Sequence, residues 1–451
     1  MIDTLHPLVR DILTKRGYKT PEDVEAFLNP NYDQQLHDPF LMKDIKPAVD
    51  RILEAVEKKQ SIVIYGDYDI DGITASTVMV ETLANLGHQA RSYIPDRFEE
   101  GYGINLDALQ KLKSEGVDLV ISVDCGITSK KEVAWAMENG LDVIITDHHS
   151  VPAETPGAIA VINPKQEDCQ YPFKDLAGVG VAFKLAQALQ IASGKPEPGH
   201  EKWLLDVVAL GTVCDVVTLV GENRVLASFG LKVMNKTRRV GLKALAEASG
   251  VEMGKITSYT LGFMFGPRMN AAGRLEHAAK SLELMLTDDG PKARQIAQEL
   301  DSLNKQRQAE QARIVKEAKE MAEEYADDPV LVLASSDWSH GIVGIAASKV
   351  AESVGKPTLI MQILNDKAKG SARSYGGFNL IDALRTGDDL FIKYGGHAFA
   401  AGYTIPVDKL DDLRARLNEH FLEVEGDLPG QVVERDVDLE DLAVVDWDLY
   451  N

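Results

Sequence analysis

The sequence predicts an α/β protein of two lobes joined by a long helix, the first lobe built on a parallel sheet. Three observations carry this. Apolar runs that end in an acid recur through the first half of the chain, and helix-like segments separate them. Strand alternating with helix requires crossover connections and hence a parallel sheet. A long stretch without Gly or Pro, Lys292 to Tyr325, then divides this region from a second set of strand-like runs.

The first run, Ser61-Ile62-Val63-Ile64, reads as a buried strand and leads into Tyr65-Gly66-Asp67-Tyr68-Asp69-Ile70-Asp71-Gly72. Val117 to Val123 ends at Asp124, and Leu141 to Thr146 ends at Asp147-His148-His149. Val207 to Cys214 reads as a fourth strand reaching Asp215. Helices are expected over Ser76 to Leu86, Leu106 to Glu115, Lys130 to Asn139 and Val181 to Ile191. Ligands of such sheets sit beyond the carboxyl ends of the strands, so acids delivered there by four strands converge on one site. A polar Asp/Gly turn explains the first motif taken alone. It does not explain the repetition.

Carboxylates sharing a site cannot all stay ionised without a compensating cation. A hard, oxygen-rich set with one or two imidazoles suits manganese or magnesium, the histidine tilting the choice to manganese, whereas zinc would expect thiolates or more histidines. More acids than one ion needs implies two ions roughly 3.5–4 Å apart, which is the arrangement that clamps an in-line attack on phosphorus. Phosphoester hydrolysis is the leading chemistry.

In the dividing stretch, Ile296, Leu300, Leu303, Ile314, Ala318 and Met321 recur at helical intervals. Sustained heptads are missing, so the helix reads as a connector and not as a coiled-coil arm. Beyond it, Pro329 to Ala334 and Pro357 to Met361 read as strands flanking a helix that starts near Gly341. Gly395-Gly396-His397 opens a glycine-rich turn whose amides could approach an anion, although alone it is a common tight turn.

At 451 residues with 45% apolar content, the chain is too long for one core. It has no apolar run of membrane-spanning length and no basic-then-apolar leader, so a cytoplasmic location without membrane attachment is expected. Three cysteines make no disulfide framework; Cys125 and Cys214 read as small core residues, and thiolate ligation would pull the site toward zinc. The net charge of −22 argues against a broad basic nucleic-acid surface. Binding of a polyanion must be local, for example in a groove lined by Arg97, Arg274, Arg373 and Lys393.

Gly66-Asp67-Tyr68-Asp69-Ile70-Asp71-Gly72, Val123-Asp124-Cys125-Gly126, Asp147-His148-His149 and Gly395-Gly396-His397, in this order, resemble the DHH/DHHA1 phosphoesterases. Asn270-Ala271-Ala272-Gly273-Arg274-Leu275, Ser339-His340-Gly341-Ile342-Val343-Gly344-Ile345 and Gly370-Ser371-Ala372-Arg373 extend the resemblance over nearly the whole chain, toward the RecJ branch of single-strand-specific 5′-to-3′ DNA exonucleases. The resemblance implies that Asp67, Asp69, Asp71, Asp124, His148 and Asp215 hold two Mn2+ or Mg2+ ions, with Asp124 and Asp215 bridging or nearly bridging them. His149 would act beside them, orienting the attacking water or stabilising charge. Arg97, Arg274 and Arg373 become phosphate grips, and Ser371, Arg373, Gly395, Gly396 and His397 the cradle of a terminal phosphate.

The implied layout is a catalytic domain over 1–290 with a helical lead-in at Pro7 to Leu28 and an insertion at Trp203 to Lys255. A connecting helix follows over 291–326, then a substrate-binding domain over 327–430, with the active site in the cleft between lobes. Residues 431–451 would begin the region in which the family continues into an oligonucleotide-binding barrel, so the chain is a short member or a trimmed core. The implied function is digestion of single-stranded DNA to mononucleotides in repair and recombination, with single-strand-binding protein and a helicase as possible partners. Two alternatives remain: a phosphoesterase of short oligonucleotides, phosphoadenosine phosphate or cyclic dinucleotides, and a non-catalytic replication scaffold of the Cdc45 type.

Overall fold

A computed structural model describes residues 5–97, 99–424 and 426. The lead-in is four helices: α1 (Pro7–Lys15), α2 (Pro21–Leu28), α3 (Tyr32–Gln35) and α4 (Ile45–Glu57). Side chains of His6, Thr20 and Asn31 cap the first three, each satisfying backbone N–H groups that the first turn leaves without partners. The expected segment over Pro7 to Leu28 is therefore two short helices, broken at the Gly17 turn.

The first sheet follows as β1 (Ile62–Gly66), α5 (Ile70–Asn85), β2 (Arg91–Tyr93), α6 (Leu106–Ser114), β3 (Leu119–Val123), α7 (Lys130–Glu138), β4 (Asp142–Thr146) and β5 (Ala160–Ile162), with α8 (Gly178–Ser193) after it. The described strands pair in parallel in the order β2-β1-β3-β4-β5. Side chains alternate across a strand, so Ile62, Ile64, Leu119, Ile121 and Ile144 pack with α4, α5, α8 and the next helix on one face. Val63, Tyr65, Val120, Val143 and Ile145 pack with α6 and α7 on the other. Both faces are covered, which is why these strands are continuous apolar runs.

Beyond α8 the expected fourth strand is absent from the described residues. Val207 to Cys214 lies in a helix, α9 (Leu205–Cys214), and Asp215 caps its carboxyl end. The segment is apolar on every side because it is buried on every side, and periodicity does not separate that from a buried strand. Helices α10 (Gly221–Met234) and α11 (Val240–Ser249) make the expected insertion helical. A π-helical stretch at Thr260–Phe265, α12 (Gly266–Leu275) and α13 (Ala279–Leu286) complete this region. α14 (Gly290–Glu324) is the expected long helix.

The described chain divides into two compact units between Asn304 and Lys305, inside α14. The second unit holds β6 (Leu331–Ser335), α15 (His340–Val354), β7 (Thr358–Leu364), β8 (Lys367–Arg373), α16 (Leu380–Arg385), β9 (Lys393–Gly396), β10 (Ala400–Pro406) and α17 (Leu410–Val424). Its sheet runs β6-β7-β8-β10-β9, parallel between β6 and β7 and antiparallel elsewhere. Residues 431–451, expected to open a further region, lie outside the described residues.

One buried charge network ties the helices that carry the acids. Arg239 Nε donates to Asp206 Oδ1 of α9 at 3.0 Å, its Nη2 donates to Glu81 Oε2 of α5 at 2.8 Å, and its Nη1 also bonds Glu81. Thr237 Oγ1 donates to Asp206 Oδ2 at 2.6 Å. Removing one partner of such a network strands the others in low dielectric. Arg239→Ala should therefore destabilise the fold by about 3 kcal/mol in urea unfolding, whereas a loss below about 1 kcal/mol would place the network with weak surface pairs.

Candidate metal and phosphoester site

The site forms where strands β1, β3 and β4 end and helices α5, α8 and α9 begin or stop. Asp67 follows β1 and is buried; Asp69 caps α5, its Oδ1 accepting from the Asp71 and Gly72 amides at 2.8 and 3.2 Å. Asp71 sits in the first turn of α5, so the helix expected from Ser76 starts six residues earlier, at Ile70. Its two carboxylate oxygens accept from the Gly178 and Val179 amides at the start of α8, at 2.6 and 2.9 Å. Helix amino ends carry partial positive charge, so these acids occupy the places where an anion is favoured.

Asp124 ends β3 with φ at 60°, a left-handed conformation that an aspartate accepts at some cost. An added Cβ on Gly178 would stand 2.5 Å from Asp124 Oδ1, and one on Gly72 2.5 Å from the Asp67 carbonyl. Only glycine lets these backbones close around the carboxylates. His148 follows β4; its Nε2 lies 3.2 Å from Asp124 Oδ1, 3.7 Å from Asp215 Oδ2 and 3.8 Å from Asp71 Oδ2.

Three groups of donor atoms result, each with its atoms within 4.8 Å of one another: Asp124, His148 and His149; Asp71, His148 and Asp215; Asp67, Asp69 and Asp124. All six expected ligands are brought together, and His149 joins them.

The electrostatics show what this arrangement lacks. Burial first, and the neighbouring aspartates second, push the carboxyls of Asp67, Asp71 and Asp124 well above the usual range. Asp215 rises to about 7 for the same reasons, burial and then Asp69. His148 falls to about 3, through burial and then the charge of His149. Asp67 Oδ1, Asp124 Oδ1 and His148 Nε2 are buried without a hydrogen-bond partner. Orphaned buried acceptors around a point, oxygen-rich with one neutral imidazole nitrogen, fit a hard divalent cation.

His149 is held differently. Its Nδ1 lies 2.7 Å from Asp147 Oδ1, an acceptor that also takes the His148 and His149 amides at 2.7 and 3.0 Å. Asp147 Oδ2 accepts from the Ile127 amide at 2.9 Å. Burial opposes charge on both residues, yet the pairing outweighs it: Asp147 sits below the usual carboxyl range and His149 above the usual imidazole range. Tyr102 Oη lies 3.1 Å from His149 Nδ1 with the rings edge to face, and Asn163 Nδ2 donates to the His149 carbonyl at 2.9 Å.

Asp147, Tyr102, Asn163 and Gly178 were not foreseen as site residues. Asp147 alone left a signal, standing beside the two histidines after a strand.

Arg97 lies over the Tyr68 ring at 4.7 Å, between two of the acids in sequence. Tyr68 is pushed up to about 12 by burial and Asp67, against the opposing charges of Arg97 and Arg274, so both arginines lie near Tyr68, and Arg97 also acts on Asp67. In the second unit, Arg373 Nη1 donates to Ser371 Oγ at 2.6 Å and its Nε to Ser348 Oγ at 3.0 Å, which brings two expected residues together on β8. The expected glycine-rich turn is corrected. Gly395 and Gly396 belong to the edge strand β9, and His397 starts the hairpin to β10, its amide donating to the Ala400 carbonyl at 2.8 Å. A glycine pair tolerates an edge strand as well as a turn, and the pairing with β10 decides.

A parallel α/β sheet with carboxylates and a histidine pair at its carboxyl end defines a DHH-type phosphoesterase architecture. Residues 61–212 match the family described as DHH family, N-terminal domain, and residues 327–423 match the DHHA1 domain. The chain belongs to the RecJ family of single-stranded-DNA-specific exonucleases. It is 44% identical to RecJ of Bacillus subtilis over 98% of this chain and 56% of that protein, and 38% identical to RecJ of Dickeya dadantii over 92% of this chain and 74% of that one. The crystal structure of RecJ with Mn2+ from Thermus thermophilus matches with a TM-score of 0.81 at 31% identity, covering 94% of this chain and 60% of that one. A structure of exonuclease RecJ bound to manganese matches with a TM-score of 0.74 at 34% identity, covering 89% and 98%. The chain thus spans little more than half the length of the Bacillus relative.

Two outcomes follow from this geometry. Gly178→Ala should weaken Mn2+ binding about 10-fold or more in calorimetric titration, in the range for groups that position ligands; unchanged affinity would mean that the close approach to Asp124 is incidental.

The second concerns pH. Carboxyls whose folded pKa is raised keep protons that the unfolded chain, titrating near ~4, has lost, so stability falls as pH rises through the folded values. The raised His149 acts in the same sense, and the depressed His148 acts oppositely only below its unfolded value of ~6.5. Cation-free protein should therefore melt lower at pH ~8 than at ~6.5, and Mn2+ should raise the melting temperature more at the higher pH. A melting temperature that does not change across this window would show that the acids are not crowded.

Proposed function

We propose that this chain is a metal-dependent 5′-to-3′ exonuclease that hydrolyses single-stranded DNA to mononucleotides in repair and recombination. The observation that carries this reading is the convergence of Asp67, Asp69, Asp71, Asp124, His148, His149 and Asp215 at one sheet end, in a chain of the RecJ family. No helix of the described residues is long and apolar enough to cross a membrane. A cytoplasmic setting, with single-strand-binding protein and a helicase as partners, accompanies the proposal.

Bound manganese or magnesium, two ions held by the six ligands, would supply an acidified water and positive charge opposite the phosphoryl oxygens. The chain's own residues do the rest. Asp124, which belongs to two donor groups, and Asp215, grouped with Asp71 and His148, would be among the residues holding the ions. Asp147 holds the proton on His149 Nδ1 and favours the imidazolium, which can offset charge on the phosphoryl oxygens or give a proton to the departing oxygen. Arg97 and Arg274 offer bidentate donors beside Tyr68 for the flanking phosphates. Ser371 and Arg373 would take the terminal phosphate, with Gly395, Gly396 and His397 contributing from the exposed edge of the second sheet.

The test is digestion of single strands labelled at either end, with Mn2+ present. Mononucleotides should leave from the 5′ end, Asp124→Ala should abolish turnover, and Arg373→Ala should raise KM far more than it lowers kcat, since it removes binding common to ground and transition states. Release beginning at the 3′ label would move the assignment to the oligonucleotide phosphoesterases. Equal cutting of circular strands would make the enzyme an endonuclease.

A further inference from the structure

On a chain of net charge −22, one groove is lined, among the described residues, by four basic side chains and by amide and small apolar groups. It lies within the second unit, between α14 and α15, with a volume of about 570 Å3, and is lined by Arg307, Gln308, Gln311, Ala312, Val315, Lys316, Lys319 and Lys349. Arg307, Gln311, Val315 and Lys319 follow one another at four-residue steps, so they form a row along one face of α14 about 18 Å long. Gln308, Ala312 and Lys316 form the adjacent row.

Arg307 Nη1 donates to Gln311 Oε1 at 2.9 Å, which fixes both side chains in the groove. Lys316 has only a loose contact with Glu320, at 3.8 Å. Lys319 and Lys349 make no ion pair among the described residues. Close lysine ion pairs do occur in this chain, as in Lys58 with Glu54, Lys280 with Glu276 and Lys184 with Glu222. Lys319 and Lys349, lining the groove without an ion pair among the described residues, are available to an external anion.

We infer that this groove binds the phosphodiester backbone of the single strand, beyond the nucleotide being cut. The inference rests on the nuclease reading above and adds a second contact region to it. Two features favour a nucleic-acid backbone over an acidic protein segment. The floor offers amides and small apolar groups, Gln308, Gln311, Ala312 and Val315, with no aromatic pocket to anchor a peptide, whereas amides and ammonium groups suit phosphate and sugar oxygens. The wall that carries Lys349 is also the wall that supports the terminal-phosphate residues, because Ser348 of α15 accepts from Arg373 and an added Cβ on Gly344 would stand 3.3 Å from Arg373 and Ser371. One helix thus contacts both the proposed phosphate grip and the basic row.

The experiment compares full-length chain with K319A/K349A and K319E/K349E. Fluorescence anisotropy with a 5′-phosphorylated, 3′-labelled oligothymidylate in chelated, hydrolysis-free buffer gives Kd across a salt series, and thermal melting checks the fold. Each lysine that releases a counterion from a single strand contributes about 0.7 to the slope of log K against log salt, so the alanine pair should flatten it by about 1.4 and raise Kd equally for any base sequence. The glutamate pair should raise Kd further. Unchanged Kd and slope in both variants, while wild type still binds and digests the strand, would overturn the groove and leave the nuclease reading standing. Variants that lose binding to polyglutamate but keep it for the strand would overturn it in favour of an acidic protein partner. A wild-type chain that neither binds nor digests single strands would end both readings.

Discussion

The structure depends on carboxylates being held closer together than water-excluded carboxylates tolerate. Asp67, Asp71 and Asp124 are buried, with Asp69 and Asp215 near enough to raise their pKa values. Backbone dipoles offset part of this: α5 begins at Asp69 and Asp71, and α8 points its first amides at Asp71. A bound cation would supply the remainder. The surrounding sequence follows from this requirement, since Gly72 and Gly178 are needed for close approach and Asp124 is held left-handed to face the centre.

Two histidines adjacent in sequence are given opposite chemistry by what lies next to each. His148 faces the carboxylates from a buried position with its pKa depressed, so it is neutral and able to donate a lone pair to a metal. His149 turns toward Asp147 and Tyr102, has its pKa raised by the pairing with Asp147 and remains partly open to solvent. Environments that drive neighbouring groups apart in pKa are how one site obtains both a ligand and an acid. Asp147 decides the division, because its Oδ1 takes the backbone amides of both histidines as well as the second imidazole.

Much of this was legible in the sequence. Strand followed by acid is a local pattern, and it located β1, β3 and β4 with Asp67, Asp124 and Asp147 after them, while a stretch free of Gly and Pro located α14. The parts that were not legible depend on tertiary context. The segment ending at Asp215 is apolar throughout because a buried helix and a buried strand make the same demand on composition. Strands β2 and β5 have three residues each, too short to show a period. Gly178, Asn163 and Tyr102 acquire their roles from chain segments distant in sequence, and nothing in their immediate neighbours announces it. The Gly395-Gly396 pair suits a turn or an edge strand, and only pairing with β10 selects the strand.

On the proposed nuclease reading, net charge and substrate charge have the same sign, which determines where affinity can come from. Long-range attraction is unavailable, so binding rests on short-range contacts at places where the acids have been removed or are already occupied. The arginines beside Tyr68, the Ser371 and Arg373 pair, and the groove between α14 and α15 are the three places proposed for such contacts. The acidic remainder of the surface then disfavours anions that lack a register with these points. A strand offering a free end and a flexible backbone can meet fixed cations in sequence, whereas a stiff duplex presents its phosphates along a straight axis and is repelled over the same length. Discrimination between strands can in this way come from where positive charge is absent as much as from where it is placed.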